Sequence, residues 1–116
     1  MKLELMGKRK YRNKPTEVDG ITFASKKEAK RYQELKLLER AGEISNLKLQ
    51  PAFPLRVHGY KIGKYIADFS YMSQSKHKPE GSLVVEDVKS TATKTPVYSI
   101  KKKLMLAIHG INISEV

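Results

Sequence analysis

The run Val84-Val85-Glu86-Asp87-Val88-Lys89-Ser90 is strand-like in its valines, yet it plants three charges in succession. Burying a charge costs several kcal/mol unless it is paired, so such a strand needs a reason for them. Side chains alternate across a strand, which puts Asp87 and Lys89 on one face and Glu86 with Val84 and Val88 on the other, there to meet a lysine or solvent. Asp68 is central to the alternating segment Tyr60–Met72, and folding back through the polar stretch Ser73–Ser82 sets it beside Asp87. Adjacent carboxylates repel unless a cation lies between them. Mg²⁺ takes oxygen ligands of this kind, one or two carboxylates with water and phosphate completing the shell. Asp68, Asp87 and the Val88 carbonyl make such a set. Lys89 would then orient or help deprotonate an attacking water and offset charge growing on a phosphate. This is the chemistry of phosphodiester hydrolysis. The competing reading is a surface hairpin with cross-strand Asp–Lys pairs worth about 0.2 to 1 kcal/mol each.

The elements that must carry these residues follow from local signals. Asp19-Gly20 is a two-residue hairpin turn inside a small ribbon, Thr16 to Phe23. Ser25 caps a helix with Glu28 at the third position, a stripe of Ala29, Tyr32, Leu35 and Leu38, and Gly42 just past its end. "ISNLKLQPAFPLRV" is β-rich, with Pro51 and Pro54 confining it to an edge or forcing a bend. "YKIGKYIADFSYM" reads as one alternating strand, "SQSKHKPEGS" as the loop of a long hairpin, and "LVVEDVK" as the return strand. Thr95 caps a second helix with Pro96 at its first position, a stripe of Val97, Ile100, Leu104 and Ile108, and Gly110 at its end. "INISEV" closes as a short strand. The order predicts an α/β fold, a sheet between or against two helices.

The chain has 116 residues, the size of one domain, with residues 1–15 a basic N-terminal arm and 16–116 a single folded domain. Twenty-three Lys and Arg against twelve Asp and Glu leave a net charge of +11, which favours a polyanionic partner. Lys8, Arg9, Lys10 and Arg12 concentrate that charge in the arm. The chain has no cysteine, which removes disulfides, thiolate metal sites and cysteine nucleophiles. His58, His77 and His109 have no ligand spacing. No apolar stretch reaches bilayer length and Met1–Met6 is not a secretory leader, so the expectation is a soluble, cytoplasmic protein without a membrane partner.

With the elements in this order, the chain resembles the PD-(D/E)xK nuclease superfamily. Ala67-Asp68 stands where that family has proline-aspartate, and Asp87-Val88-Lys89 stands as (D/E)xK. "FASKKEAKRY" is similar to the Ser-x-x-Glu helix start of Holliday junction resolvases, transposase endonuclease subunits and a phage-encoded group of small relatives. The resemblance implies a restriction-endonuclease-like core: a central mixed sheet with a long antiparallel hairpin and two flanking helices, in the order helix-strand-strand-strand-helix-strand. It implies that Glu28 joins Asp68, Asp87 and Val88 at a metal, and the i, i+4, i+7 spacing of Glu28, Tyr32 and Leu35 places that carboxylate at the end of the inward stripe. Ser25 to Glu28 is equally a capping box, in which Glu28 only bonds the cap residue's N–H. It further implies accessory roles for Gln50, Tyr98 and Lys101, against which Lys101 to Lys103 also read as the solvated face of an amphipathic helix.

The function implied is a Mg²⁺-dependent (or Mn²⁺-dependent) DNA endonuclease, directed to branched or Holliday junction DNA, phage-encoded and active in the host cytoplasm. A homodimer is expected, because two active sites are needed to cut two strands together. The alternative from another class is a non-catalytic basic nucleic-acid-binding or assembly module of the same fold. It accounts for the charge but not for the inward carboxylates.

Overall fold

The computed structural model describes residues 15–75, 78–88 and 95–116. The arm residues Lys8, Arg9, Lys10 and Arg12, and also Lys89, lie outside the described residues. Chain contacts divide into two units, Met1–Glu34 and Leu35–Val116, with the division falling inside the first helix.

In the N-terminal unit, β1 (Thr16–Val18) and β2 (Ile21–Phe23) pair antiparallel around Asp19-Gly20. Both turn residues take positive φ, 54° and 76°, as a tight two-residue hairpin turn demands. Helix α1 (Lys26–Arg40) begins at Ser25, whose Oγ accepts from the Glu28 N–H at 3.1 Å and whose carbonyl accepts from Ala29 N–H. The Tyr32 ring lies 5.0 Å from that of Phe23, and its hydroxyl donates to Asp19 at 3.1 Å. The hairpin and the start of the helix are thereby tied together. Within α1 the buried positions are Glu28, Ala29, Tyr32 and Leu35. Leu38, assigned above to the stripe, is exposed. The inward face bends toward Glu39 instead, whose carboxylate accepts from the Leu47 N–H.

In the C-terminal unit α1 closes with a Schellman turn: Glu43 N–H donates to the Leu38 carbonyl, Gly42 N–H to the Glu39 carbonyl, and Gly42 takes φ 82°. A four-stranded mixed sheet follows in the spatial order β3-β6-β7-β8. Strands β3 (Ile44–Leu49), β6 (Phe69–Ser75) and β7 (Lys78–Asp87) are antiparallel neighbours, and β8 (Ser114–Glu115) runs parallel to β7. The parallel return requires a crossover, which α2 (Pro96–His109) supplies. Between β3 and β6 the chain makes a separate two-stranded ribbon, β4 (Ala52–Val57) with β5 (Tyr60–Ile66).

Three expectations change here. The segment Tyr60–Met72 is two strands of different sheets, broken at Ala67-Asp68, because the backbone changes partners there: Ala67 N–H donates to Pro51 and Asp68 N–H to Glu86. Its alternation runs on through the break, since Tyr65, Ala67, Phe69 and Tyr71 are all buried. The stretch Ser73–Ser82 is not one long loop. Both strands continue into it, with Ser75 paired to Lys78 across a bulge and Gly81 at φ 85°. Polar residues hid this extension because they carry no apolar alternation from which a strand could be read.

The third change concerns α2, whose buried residues are Tyr98 and Met105, seven apart, with Leu104 and Ile108 half-buried beside them. Val97 and Ile100 are exposed. Thr95 caps the helix as expected, its side chain accepting from Tyr98 N–H at 3.1 Å, and Gly110 ends it at φ 69°. Tyr98 and Met105 join Leu55, Tyr65, Ala67, Val85 and Ile113 in one core cluster, so α2 covers the face of the sheet that carries Val85.

Candidate functional site

Alternation from Val85 puts Asp87 on the α2 face of β7, and from Ile113 it puts Glu115 on the same face of β8. Asp87 and Glu115 are direct neighbours in the parallel register. The Val116 N–H bonds the Asp87 carbonyl at 3.0 Å, which fixes the last residues of the two strands against each other.

Asp68 arrives from the other side. Its N–H donates to the Glu86 carbonyl at 3.1 Å, and its carboxylate accepts from the Val88 N–H at 2.8 Å. Bonds to the residues on both sides of Asp87 bring Asp68 alongside it. The Asp68 carbonyl in turn accepts from Gln50 N–H at 2.9 Å, so Gln50 reaches the site by its main chain, at φ 50°, while the residue as a whole is exposed. Corner residue Gln50 turns the chain out of β3, and Asp68 brings it back into β6.

Tyr98 roofs this corner. Its hydroxyl donates to Glu115 at 2.6 Å, and the Lys102 ammonium pairs with the same carboxylate oxygen at 3.2 Å. Burial, the hydrogen bond to Glu115, and the charges of Glu115, Asp87 and Asp68, in that order, hold the Tyr98 phenol well above its ordinary pKa. Tyr98 is therefore a neutral hydroxyl at working pH. A cleft of about 370 Å³ opens beside it, with Ser99, Lys102, Lys103, Asn112 and Glu115 in its lining. Lys101 is half-buried on the same helix and takes no part in these bonds.

Glu86, expected to meet a lysine or solvent, is buried away from solvent. It is 1% exposed, and its carboxylate accepts a hydrogen bond from the buried Tyr71 hydroxyl. β7 is covered on both faces at Glu86 and Asp87, so both neighbouring carboxylates are buried.

A divalent cation at this corner would meet the Asp68 and Asp87 carboxylates, with the Val88 carbonyl next in the chain. The all-oxygen set suits Mg²⁺ or Mn²⁺, which need only one or two protein carboxylates. Among the described residues no group of three or more His, Cys, Asp or Glu side chains is gathered as a metal cage. Glu28 belongs to the N-terminal unit, where it is 9% exposed and its N–H is held by Ser25.

Sequence reasoning missed Glu115. The signal was present: in Ile111-Asn112-Ile113-Ser114-Glu115 the acid continues the apolar alternation of Ile111 and Ile113, as Asp87 continues that of Val85. Its pairing with Lys102 also gives that lysine a defined contact, where its run had suggested a solvated face.

Among the described residues no helix is long and apolar enough to cross a membrane. A family model described as a protein of unknown function (DUF1064) matches residues 8–112, and the chain belongs to that family. No curated protein and no solved structure matches it.

Proposed function

For this member of the DUF1064 family we propose a Mg²⁺- or Mn²⁺-dependent DNA endonuclease with a restriction-endonuclease-like core, in which Asp68 and Asp87 hold the ion. The observation that carries the reading is the stapling of Asp68 to the Val88 N–H at 2.8 Å, which sets two carboxylates side by side at the ends of neighbouring strands. Two acids brought together by main-chain bonds repel, and a cation relieves that repulsion.

The ion, when bound, supplies Lewis-acid stabilisation of charge on the phosphate. Asp68 and Asp87 orient it, with the Val88 carbonyl as a third oxygen. Lys89, two residues beyond Asp87, offsets charge on the phosphate and positions the attacking water. Tyr98 remains a neutral donor and keeps Glu115 in place. The excess of positive charge attracts the DNA backbone. Branched DNA is the proposed substrate and a homodimer the proposed form, since paired cuts need paired sites.

Two observations favour a second reading, a nucleic-acid-binding module without cleavage: one Asp68 oxygen is already engaged by a backbone N–H, and no third acid completes a cage among the described residues. Incubation of the protein with linear duplex, single-stranded, flap and four-way-junction DNA separates the two. Cleavage that needs Mg²⁺ and is lost in Asp87→Ala and Lys89→Ala, with binding retained, supports the enzyme; binding without cleavage of any substrate overturns it.

A further inference from the structure

The β4–β5 ribbon springs from the same corner as Asp68. Ala67 N–H bonds Pro51 and Gln50 N–H bonds Asp68, so the ribbon's base adjoins the acidic pair. Its inner half is anchored: Leu55 and Tyr65 are in the core, Phe53 packs against the core cluster, and the His109 ring nitrogen lies 2.7 Å from the Pro54 carbonyl. Its outer half is not. Every residue from Arg56 to Ile62 is exposed, and the tip stands about 20 Å from the base along a strand of this length.

The composition of that tip is not what a solvated hairpin requires. Arg56 and Lys61 are direct cross-strand partners, and like charges in that position destabilise a ribbon. Between Gln50 and Ala67 there is no Asp or Glu to offset them or Lys64. Next to that pair Val57 faces Tyr60, which is 76% exposed, and Ile62 is the extra residue of a bulge at 59% exposure. Paired residues share a face and successive pairs alternate, so the tip presents cations on one side and an apolar, aromatic surface on the other. His58-Gly59 holds it in a tight turn, both residues at positive φ (50° and 81°).

We propose that the tip of this ribbon is a DNA-binding wedge, in which Arg56 and Lys61 engage phosphates and the Tyr60 ring stacks on a base where the helical stack is interrupted. The cationic face complements the backbone. An aromatic ring at the point of a narrow ribbon reaches a base face only where stacking is broken, because an intact duplex covers its base faces. The inference rests on DNA being the partner of the proposed nuclease, and does not need the chain to cut it.

Binding of the full chain to a labelled four-way junction and to a duplex of equal length, measured in EDTA by fluorescence anisotropy over a range of salt, tests it. Tyr60→Ser is expected to weaken junction binding about tenfold, with duplex binding nearly unchanged. Arg56→Ala with Lys61→Ala is expected to weaken both and to lower the salt slope by about two. Unchanged junction affinity in Tyr60→Ser overturns the wedge, as does an unchanged salt slope in the double variant. Sedimentation equilibrium adds one more outcome: if Tyr60→Ser splits a dimer and leaves DNA affinity intact, the tip is a self-association surface and the proposal fails. Because no metal is present, absence of cleavage elsewhere counts against the enzyme and leaves this result standing.

Discussion

Asp68 and Val88 are 20 residues apart in the chain, and the carboxylate of one accepts the backbone N–H of the other at 2.8 Å. The bond ties the start of β6 to the end of β7. It gives Asp68 a structural task beside its proposed chemical one, and the two tasks separate by substitution. Asp68→Ala removes the acceptor and is expected to cost about 1–3 kcal/mol in urea unfolding. Asp68→Asn keeps an acceptor and most of the stability. Both should abolish Mg²⁺-dependent cleavage; full activity in Asp68→Asn would remove Asp68 from the metal site.

Ser25 and Glu28 divide in a similar way. The Ser25 Oγ accepts the Glu28 N–H, so Ser25→Ala should lower stability by about 1 kcal/mol with the cleavage rate unchanged. Glu28→Gln retains the backbone bond to Ser25 and should cut the rate at least tenfold if its carboxylate serves the metal. Equal, purely thermodynamic effects of both substitutions would leave Glu28 as a helix-start residue only. Thermal melts and single-turnover cleavage provide the two readouts.

Glu86 and Asp87 are sequence neighbours on opposite faces of β7, and the proposed chemistry uses only Asp87. The Tyr71 hydroxyl donates to Glu86 in a fully buried setting. Tyr71→Phe removes that donor and is expected to destabilise the fold by about 1–3 kcal/mol. Glu86→Gln is expected to cleave DNA when assayed well below its melting temperature, and Asp87→Asn is not. Loss of cleavage in a folded Glu86→Gln variant would reverse the assignment.

Tyr98 supplies a pH dependence. Its folded-state pKa is raised, chiefly by burial and then by its bond to Glu115, above the unfolded value of about 10. A group shifted in this direction contributes its stability fully below the unfolded pKa and loses it as pH rises toward the folded one. The midpoint of urea unfolding should therefore fall as pH rises above about 10 more steeply for the native chain than for Tyr98→Phe. Parallel curves would show that the phenol does not titrate on unfolding.

Much of the site was legible because alternation is local. Val85 and Asp87 share a face by strand geometry alone, and Thr95, Pro96 and Gly110 mark α2 by the chemistry of helix ends. The rotation of α2 was less legible: Val97 and Ile100 look as apolar as Leu104, and only the position of the sheet selects Tyr98 and Met105 as the buried face. Glu115 continues the alternation of Ile111 and Ile113, but only the parallel pairing of β8 with β7 sets it beside Asp87.

By itself the sequence determined what each strand could offer: Asp68 within a β-prone segment, Asp87 two residues beyond a core valine, a hairpin turn at Asp19-Gly20, and an excess of positive charge. Tertiary structure alone decided that the Tyr60–Met72 segment breaks at Ala67-Asp68, that Asp68 closes onto Val88, that Glu115 stands beside Asp87, and that the β4–β5 tip projects with Tyr60 uncovered. The physical reason is range. Side-chain alternation and caps act over a few residues, whereas exchange of backbone partners at Asp68 and parallel pairing of β7 with β8 depend on bonds between segments that meet only in the folded chain.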